Sequence, residues 1–145
     1  MEREVAGVLF PQLREHAQLL SDSTRALVER GLGQPHSQYD TAQEFAAACR
    51  SRVPSLFADV DALMTLAVKG EAPPVASTGD PVFCRPWTLL HVPTISLPLL
   101  TGPSGMPVGV QLVGAPGEDD ALLDVALEVM RAAPRRHAAV EGPSS

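Results

Sequence analysis

The chain has 145 residues, of which 45% are hydrophobic and 19% charged, proportions typical of a soluble globular protein. Its net charge of −6 and its scattered basic residues argue against nucleic-acid binding, which needs a clustered excess of Lys and Arg. No apolar run approaches the roughly 18 residues that cross a bilayer. Because the acidic start MEREVAGVLF is also unlike a signal peptide, we expect a cytoplasmic protein that has no membrane partner.

The first 58 residues are predicted to form helices. Apolar residues recur at helical spacing over positions 5–20, and Pro11 among them fits only near the start of a helix. Gly31 and Gly33 suit the C-terminal end of a helix, because glycine readily adopts the left-handed conformation found there. A further helix is predicted to begin within residues 37–44, where a hydroxyl side chain twice precedes an acid by three positions.

Between residues 59 and 113 the pattern changes. Residues 59–67 are apolar on both sides, so we expect a buried strand that is covered on both faces. A loop over residues 69–78 and a short helix over residues 82–91 follow, with Pro86 tolerated only in the first helical turn. Residues 94–113 form a predicted antiparallel hairpin around the turn TGPSG, and Pro98 places its first strand at a sheet edge or a bulge.

The clearest helix is predicted over residues 118–133. Three acids lie in its first turn and Arg131 in its last, so the charges oppose the helix dipole at both ends. The tail, residues 134–145, is predicted to be disordered. These elements indicate the α/β class, with a mixed sheet of about three strands flanked by helices in a single domain over residues 1–133.

The residues alone give no strong catalytic, metal or cofactor signature. The four histidines show no HxxxH spacing and the cysteines no CxxC pair, so we expect no metal ion. Ser104 lies in a turn, GPSG, and lacks the GxSxG context of a nucleophile elbow. Cys49 and Cys84 are expected to be reduced and packed. No glycine-rich loop for a phosphate-bearing cofactor is present.

An ordered set of motifs nevertheless resembles the closing part of the amidase-signature hydrolases. The matching sequences, in chain order, are DALMT at 61–65, GDPVF at 79–83, WTLL at 87–90, SLP at 96–98, GMPVGVQLVG at 105–114 and EDDALL at 118–123. The similarity covers about residues 37–133, and the ordered set is more specific than any one motif. Two positions depart from the family pattern, with Leu66 where proline is usual and His91 where glycine is usual.

The resemblance implies the C-terminal part of the amidase-signature fold and a hydrolase that converts a small carboxamide to an acid and an amine or ammonia. Family members use a Ser–cis-Ser–Lys triad, in which Lys relays a proton through the middle Ser to activate the nucleophile. That triad lies in a Gly/Ser-rich segment upstream of the matched part, and no catalytic residue carries over to this chain. We therefore expect a fragment that is not catalytic alone, partnered by the missing N-terminal segment or by a second copy.

The resemblance also implies a wall of the substrate pocket, because the GDPxFxxxW segment approaches the acyl site in similar enzymes. The candidate substrate-binding residues are Asp80, Phe83, Trp87 and Thr88. A structural role is open for three of them, since Asp80 can cap the following helix and Phe83 and Trp87 can belong to the core.

A second functional class stays open, a non-catalytic binding or assembly module that retains part of the fold. A strand that is apolar on both faces needs more covering layers than a chain of this length provides. Exposed sheet edges and an apolar patch are therefore predicted, and such a module would pair through an open edge.

Overall fold

The computed structural model describes residues 2–133, which divide after Arg52 into two compact units. The predicted disorder of residues 134–145 lies outside the described part. The first unit contains three helices, α1 (Glu2–His16), α2 (Asp22–Gly33) and α3 (His36–Arg50). The second contains two helices and three strands, namely β1 (Leu63–Leu66), α4 (Arg85–Leu90), β2 (Thr94–Thr101), β3 (Pro107–Val113) and α5 (Asp119–Ala132). No described helix has the length and apolar character needed to span a membrane.

Helices α1 and α2 pack closely because Gly31 has no side chain at their contact. A Cβ atom at Gly31 would lie 2.3 Å from the carbonyl oxygen of Glu2 and 2.6 Å from the Cβ of Ala6. Ala6 and Val28 are fully buried in the same unit. Gly31 therefore lies inside a helix that continues to Gly33 and permits close packing, where the sequence pattern indicates a helix end.

Two further boundaries in the first unit differ from the sequence prediction. Helix α1 continues through Pro11, which is exposed and, having no N–H, leaves one backbone hydrogen bond of the helix unmade. Helix α3 begins at His36, directly after Pro35, so both predicted hydroxyl caps lie within the helix. Inside it, the Thr41 hydroxyl donates to the carbonyl oxygen of Ser37 at 3.0 Å.

The three strands form an antiparallel sheet in the order β1-β3-β2. Leu112 of β3 lies opposite Met64 of β1 and Ile95 of β2, so the central strand is paired along both edges. A register shift between Leu97 and Leu100 confirms the bulge expected at Pro98. The predicted α/β class and number of strands are confirmed, but the described strand pairs are all antiparallel where a mixed sheet was expected.

Strand β1 is shorter and less buried than the sequence indicated. It spans Leu63–Leu66 within the predicted range of 59–67, and Met64 and Leu66 remain 61% and 41% exposed. The cause is its position at a sheet edge, because α5 packs against β2 and β3. An apolar pattern shows that a strand is suited to burial. Whether the strand is buried depends on whether a helix or another sheet covers it.

The core of the second unit lies between the sheet and α5. Leu97, Leu112, Leu122 and Ala126 form its buried cluster. Leu112 is 2% exposed, and burial of a leucine of this kind contributes about 1.5–3 kcal/mol to folding. Partly buried residues at helical spacing on α5, Val125 and Val129, extend the contact.

The helix predicted over residues 82–91 forms as two pieces. A 3₁₀ turn, Pro81–Phe83, is followed by α4, and Pro86, which has no N–H, occupies the first turn of α4. At its end, the His91 N–H donates to the Thr88 carbonyl at 3.4 Å and the Val92 N–H to the Trp87 carbonyl at 3.3 Å. These two bonds form a Schellman motif.

His91 occupies the left-handed position of this motif, with φ 57° and ψ 42°. Among the described residues it is the one non-glycine residue with positive φ. This conformation brings Cβ close to the following carbonyl and costs about 1–2 kcal/mol in a residue other than glycine. The structure thus gives a physical reason why the substitution of histidine for the usual glycine is unfavourable here.

We expect His91→Gly to stabilise the second unit by about 1 kcal/mol, because relief of the left-handed strain exceeds the extra entropy of an unfolded glycine. Urea denaturation followed by circular dichroism measures the change. His91→Ala is the matched control and should give no gain, since alanine retains the strained Cβ. Equal stabilisation by both variants would show that the imidazole, and not the backbone, is unfavourable.

Candidate functional site

The loop between β1 and α4 lines a pocket in the second unit. The pocket has a volume of about 300 Å³. Its lining comes from two parts of the loop, residues 67–71 with Pro73 and residues 78–81 with Cys84. The loop starts in register with the sheet, since the Ala67 N–H donates to the Gly109 carbonyl at 3.0 Å.

An ion pair connects the two parts of the lining. Lys69 Nζ lies 2.5 Å from Asp80 Oδ2, and both side chains are substantially exposed. The other carboxylate oxygen of Asp80 accepts from the Val82 N–H at 3.1 Å and so caps the 3₁₀ turn. Gly79, with φ 76°, supplies the positive φ that directs the chain into this turn. Asp80 therefore orients the start of the helical segment and closes the pocket at the same time.

A second carboxylate, that of Glu71, fastens the loop to the turn between β2 and β3. Its Oε1 accepts from the backbone N–H of Ser104 at 2.8 Å and from that of Met106 at 3.2 Å. The side chain passes close to Gly102, where an added Cβ would lie 2.2 Å from Glu71 Cγ. Gly102 therefore leaves the space that the carboxylate needs to reach the turn.

The four residues predicted for the pocket wall are distributed along this segment, and one of them lines the 300 Å³ pocket. Asp80 is in the lining of this pocket. It also caps the following turn, which is the structural role that the sequence left open for it. Phe83 and Trp87 are half-buried and outside the lining. Thr88 is exposed on α4, and its hydroxyl donates to the Cys84 carbonyl at 3.1 Å.

Four polar lining residues were not among the candidates from the sequence, namely Lys69, Glu71, Thr78 and Cys84. Lys69 and Glu71 belong to a charged, proline-rich loop. Their partners, Asp80 and the Ser104 N–H, are distant in sequence, so the spacing of residues does not reveal these contacts. The exposed Cys84 thiol lies 3.8 Å from the Ala67 carbonyl oxygen. In the part of the chain described, no group of three His, Cys, Asp or Glu residues could hold a metal ion.

The charges of the site are mutually compensated, and this limits its chemistry. The hydrogen bond from Lys69 is the main cause that holds the pKa of Asp80 below its usual 3.8, while desolvation acts in the opposite direction. The Val82 N–H and the nearby charge of Arg85 lower this pKa further. Asp80 is thus charged at neutral pH, which suits binding and positioning of a polar ligand rather than proton transfer.

The pKa of the Asp80 carboxyl can be measured by carbon-13 NMR titration, with an expected midpoint below 3.8. Because the folded pKa is lowered, the ion pair stabilises the fold above the unfolded pKa, and this contribution is lost as the pH falls through the folded value. Lys69→Met should raise the midpoint towards 3.8. Arg85→Met is the control with the smaller rise, and an equal effect of both variants would contradict the assigned cause.

Removal of the Glu71 carboxylate should release the loop from the hairpin turn. We expect Glu71→Ala to accelerate amide hydrogen exchange at Ser104 and Met106 by about 10- to 100-fold, since hydrogen bonds to a charged group contribute about 1.5–3 kcal/mol. Glu71→Gln, which retains an acceptor oxygen, should have a smaller effect. Glu128→Ala, an exposed acid on α5, is the control that leaves these two amides unchanged. Unaltered exchange in Glu71→Ala would show that the turn is held by other contacts.

Comparison with known proteins finds similar sequences and structures for most of the chain. A family model for amidases matches residues 10–123. The chain is 44% identical over 52 residues to the 6-aminohexanoate-cyclic-dimer hydrolase of Paenarthrobacter ureafaciens, covering 36% of the chain and 10% of that protein. It is 32% identical over 111 residues to a glutamyl-tRNA(Gln) amidotransferase polypeptide of Thermus thermophilus, covering 72% of the chain and 24% of that protein.

A solved structure described as an amidase has the same fold over most of this chain. The TM-score is 0.78 at 30% identity, covering 89% of this chain and 33% of that structure. The chain thus spans a quarter or less of the curated relatives and about a third of the solved structure. Because the family match extends over most of its length, the chain belongs to the amidase family.

Proposed function

We propose that this chain forms the C-terminal pocket wall of an amidohydrolase that converts a small carboxamide to an acid and an amine or ammonia. The observation that carries the proposal is the amidase match over residues 10–123. In this proposal the Ser–cis-Ser–Lys residues belong to a segment outside the chain, and the chain contributes sheet, core and one wall. It is then not catalytic alone.

The loop of residues 67–84 is the part of the wall that would contact the substrate. It is fixed at three points, by strand pairing at Ala67, by Glu71 on the hairpin turn and by the Lys69–Asp80 ion pair. A wall that is ordered before the substrate arrives does not lose conformational entropy on binding. Phe83 at the end of this loop and Trp87 on α4, both half-buried, would add apolar groups to the wall, and Thr88 would add a hydroxyl.

The arrangement of polar groups in the wall favours positioning over bond cleavage. The only lysine, Lys69, is held by Asp80 at 2.5 Å, so it is engaged as a cation and does not serve as a free base. Ser104 lies in the hairpin turn with its backbone N–H bound to Glu71, away from a strand-to-helix corner that would expose a nucleophile. These contacts support a proposal in which this chain positions the substrate and another segment supplies the catalytic residues.

A chimera tests the proposal directly. In a related amidase of known activity, the matching third is replaced by this chain, and we expect hydrolysis of simple amides by the chimera but not by the isolated chain. Glu71→Ala in the chimera should raise KM more than it lowers kcat, because a loosened wall weakens substrate binding. The exposed change Glu128→Ala is the control.

Two results would contradict the proposal. Turnover by the isolated chain that disappears when one of its serines is changed would show that the chain is catalytic. A folded chimera that has no amidase activity would show that the chain does not provide a working wall.

The open sheet edges favour the second candidate, a non-catalytic assembly module. Within the described residues, β1 and β2 each pair along one edge, and Met64 and Leu66 are exposed beside the edge of β1. Such a strand offers N–H and C=O groups to another chain. A monodisperse, cooperatively unfolding monomer that binds no apolar dye would argue against this module.

A further inference from the structure

The outward side of α5 presents a row of side chains that is complementary to itself. Asp119, Leu123, Leu127 and Arg131 follow one another at intervals of four residues, so they lie along one ridge of the helix, with Met130 beside the last. The row consists of an acid, two apolar residues and a base. Over its length of about 18 Å it has opposite charges at its two ends.

This row is separate from the side of α5 that packs on the sheet. Leu122 and Ala126 are buried in the core, whereas Leu123 and Leu127 are 51% and 52% exposed and Met130 is 46% exposed. The helix is therefore apolar on two sides, and one of them faces solvent. A surface helix normally has a single apolar stripe, and a second one indicates a contact with another surface.

The opposite charges at the two ends of the row favour a second copy of α5 that runs antiparallel to the first. When a second copy of the row runs antiparallel, Asp119 faces Arg131 of the second copy and Leu123 faces its Leu127. A parallel copy would instead bring Asp119 against Asp119. We propose that two copies of this chain associate through α5, antiparallel about a two-fold axis between Leu123 and Leu127.

General helix physics supports this geometry. Antiparallel helices place the positive N-terminal end of one dipole beside the negative C-terminal end of the other. Ridges formed by residues four apart interdigitate at a crossing angle of about −50°, the commonest class in globular proteins. One helix pair buries less than the roughly 1,200 Å² of a standard interface, so the dimer is weak and concentration-dependent. The proposal does not depend on the amidase function.

Sedimentation equilibrium between about 10 μM and 1 mM is the first test, a range that covers weak association constants. We expect a reversible monomer–dimer equilibrium that Leu127→Glu abolishes. Asp119→Arg and Arg131→Asp each place like charges together twice per dimer, and each should weaken association about tenfold. The double variant Asp119→Arg/Arg131→Asp restores opposite charges and should return the dimer to within about threefold of the original. Glu128→Arg, which changes the charge by the same amount as Asp119→Arg but lies off the row, is the control.

A second measurement needs no variant and covers the case in which a substitution disrupts folding. Amide chemical shifts of the unmodified chain should change with concentration at residues 119–131 and remain constant elsewhere. The proposal is overturned if the chain is monomeric at every concentration or if charge reversal leaves the dimer unaffected. Concentration-dependent shifts that map to β1 or to the first unit would also overturn it, as would a row that binds an upstream amidase segment while the chain alone stays monomeric.

Discussion

The second unit depends on the pairing of β3 along both of its edges. This strand joins β1 to β2, and its Leu112 lies in the core beneath α5. The turn that precedes it supplies the amide groups that bind Glu71. A change in the position of β3 would therefore alter the sheet, the core and the loop that lines the pocket. The position of the candidate site follows from strand pairing rather than from the loop sequence itself.

Features governed by local chemistry were predictable from the sequence, and those governed by distant contacts were not. The bulge at Pro98 follows from a missing N–H, and α5 follows from its apolar spacing and terminal charges. The exposure of Met64 depends on which strands of the sheet α5 covers, and no short pattern contains that information. In the site, Asp80 was a candidate, but the Glu71 contact joins positions 33 residues apart and left no signal in the spacing.

The charged groups of the candidate site are held by hydrogen bonds within the protein. Lys69 and Asp80 satisfy each other, and Glu71 is satisfied by two backbone amides. Such contacts hold the surface in one shape but leave few polar groups free to react. A nucleophile or a general base needs a group that is free to react. Under the proposed function, such a surface would contribute a shaped wall and leave bond cleavage to residues outside this chain.

The bulge at Pro98 has a consequence for the growth of the sheet. A strand that joins a sheet edge requires a regular series of donors and acceptors, and β2 contains Pro98, which has no N–H, where its register with β3 shifts. The four residues of β1 contain no proline and no register shift. The more regular backbone of β1 therefore favours addition of a strand there, and such a strand would make β1 an interior strand of the sheet.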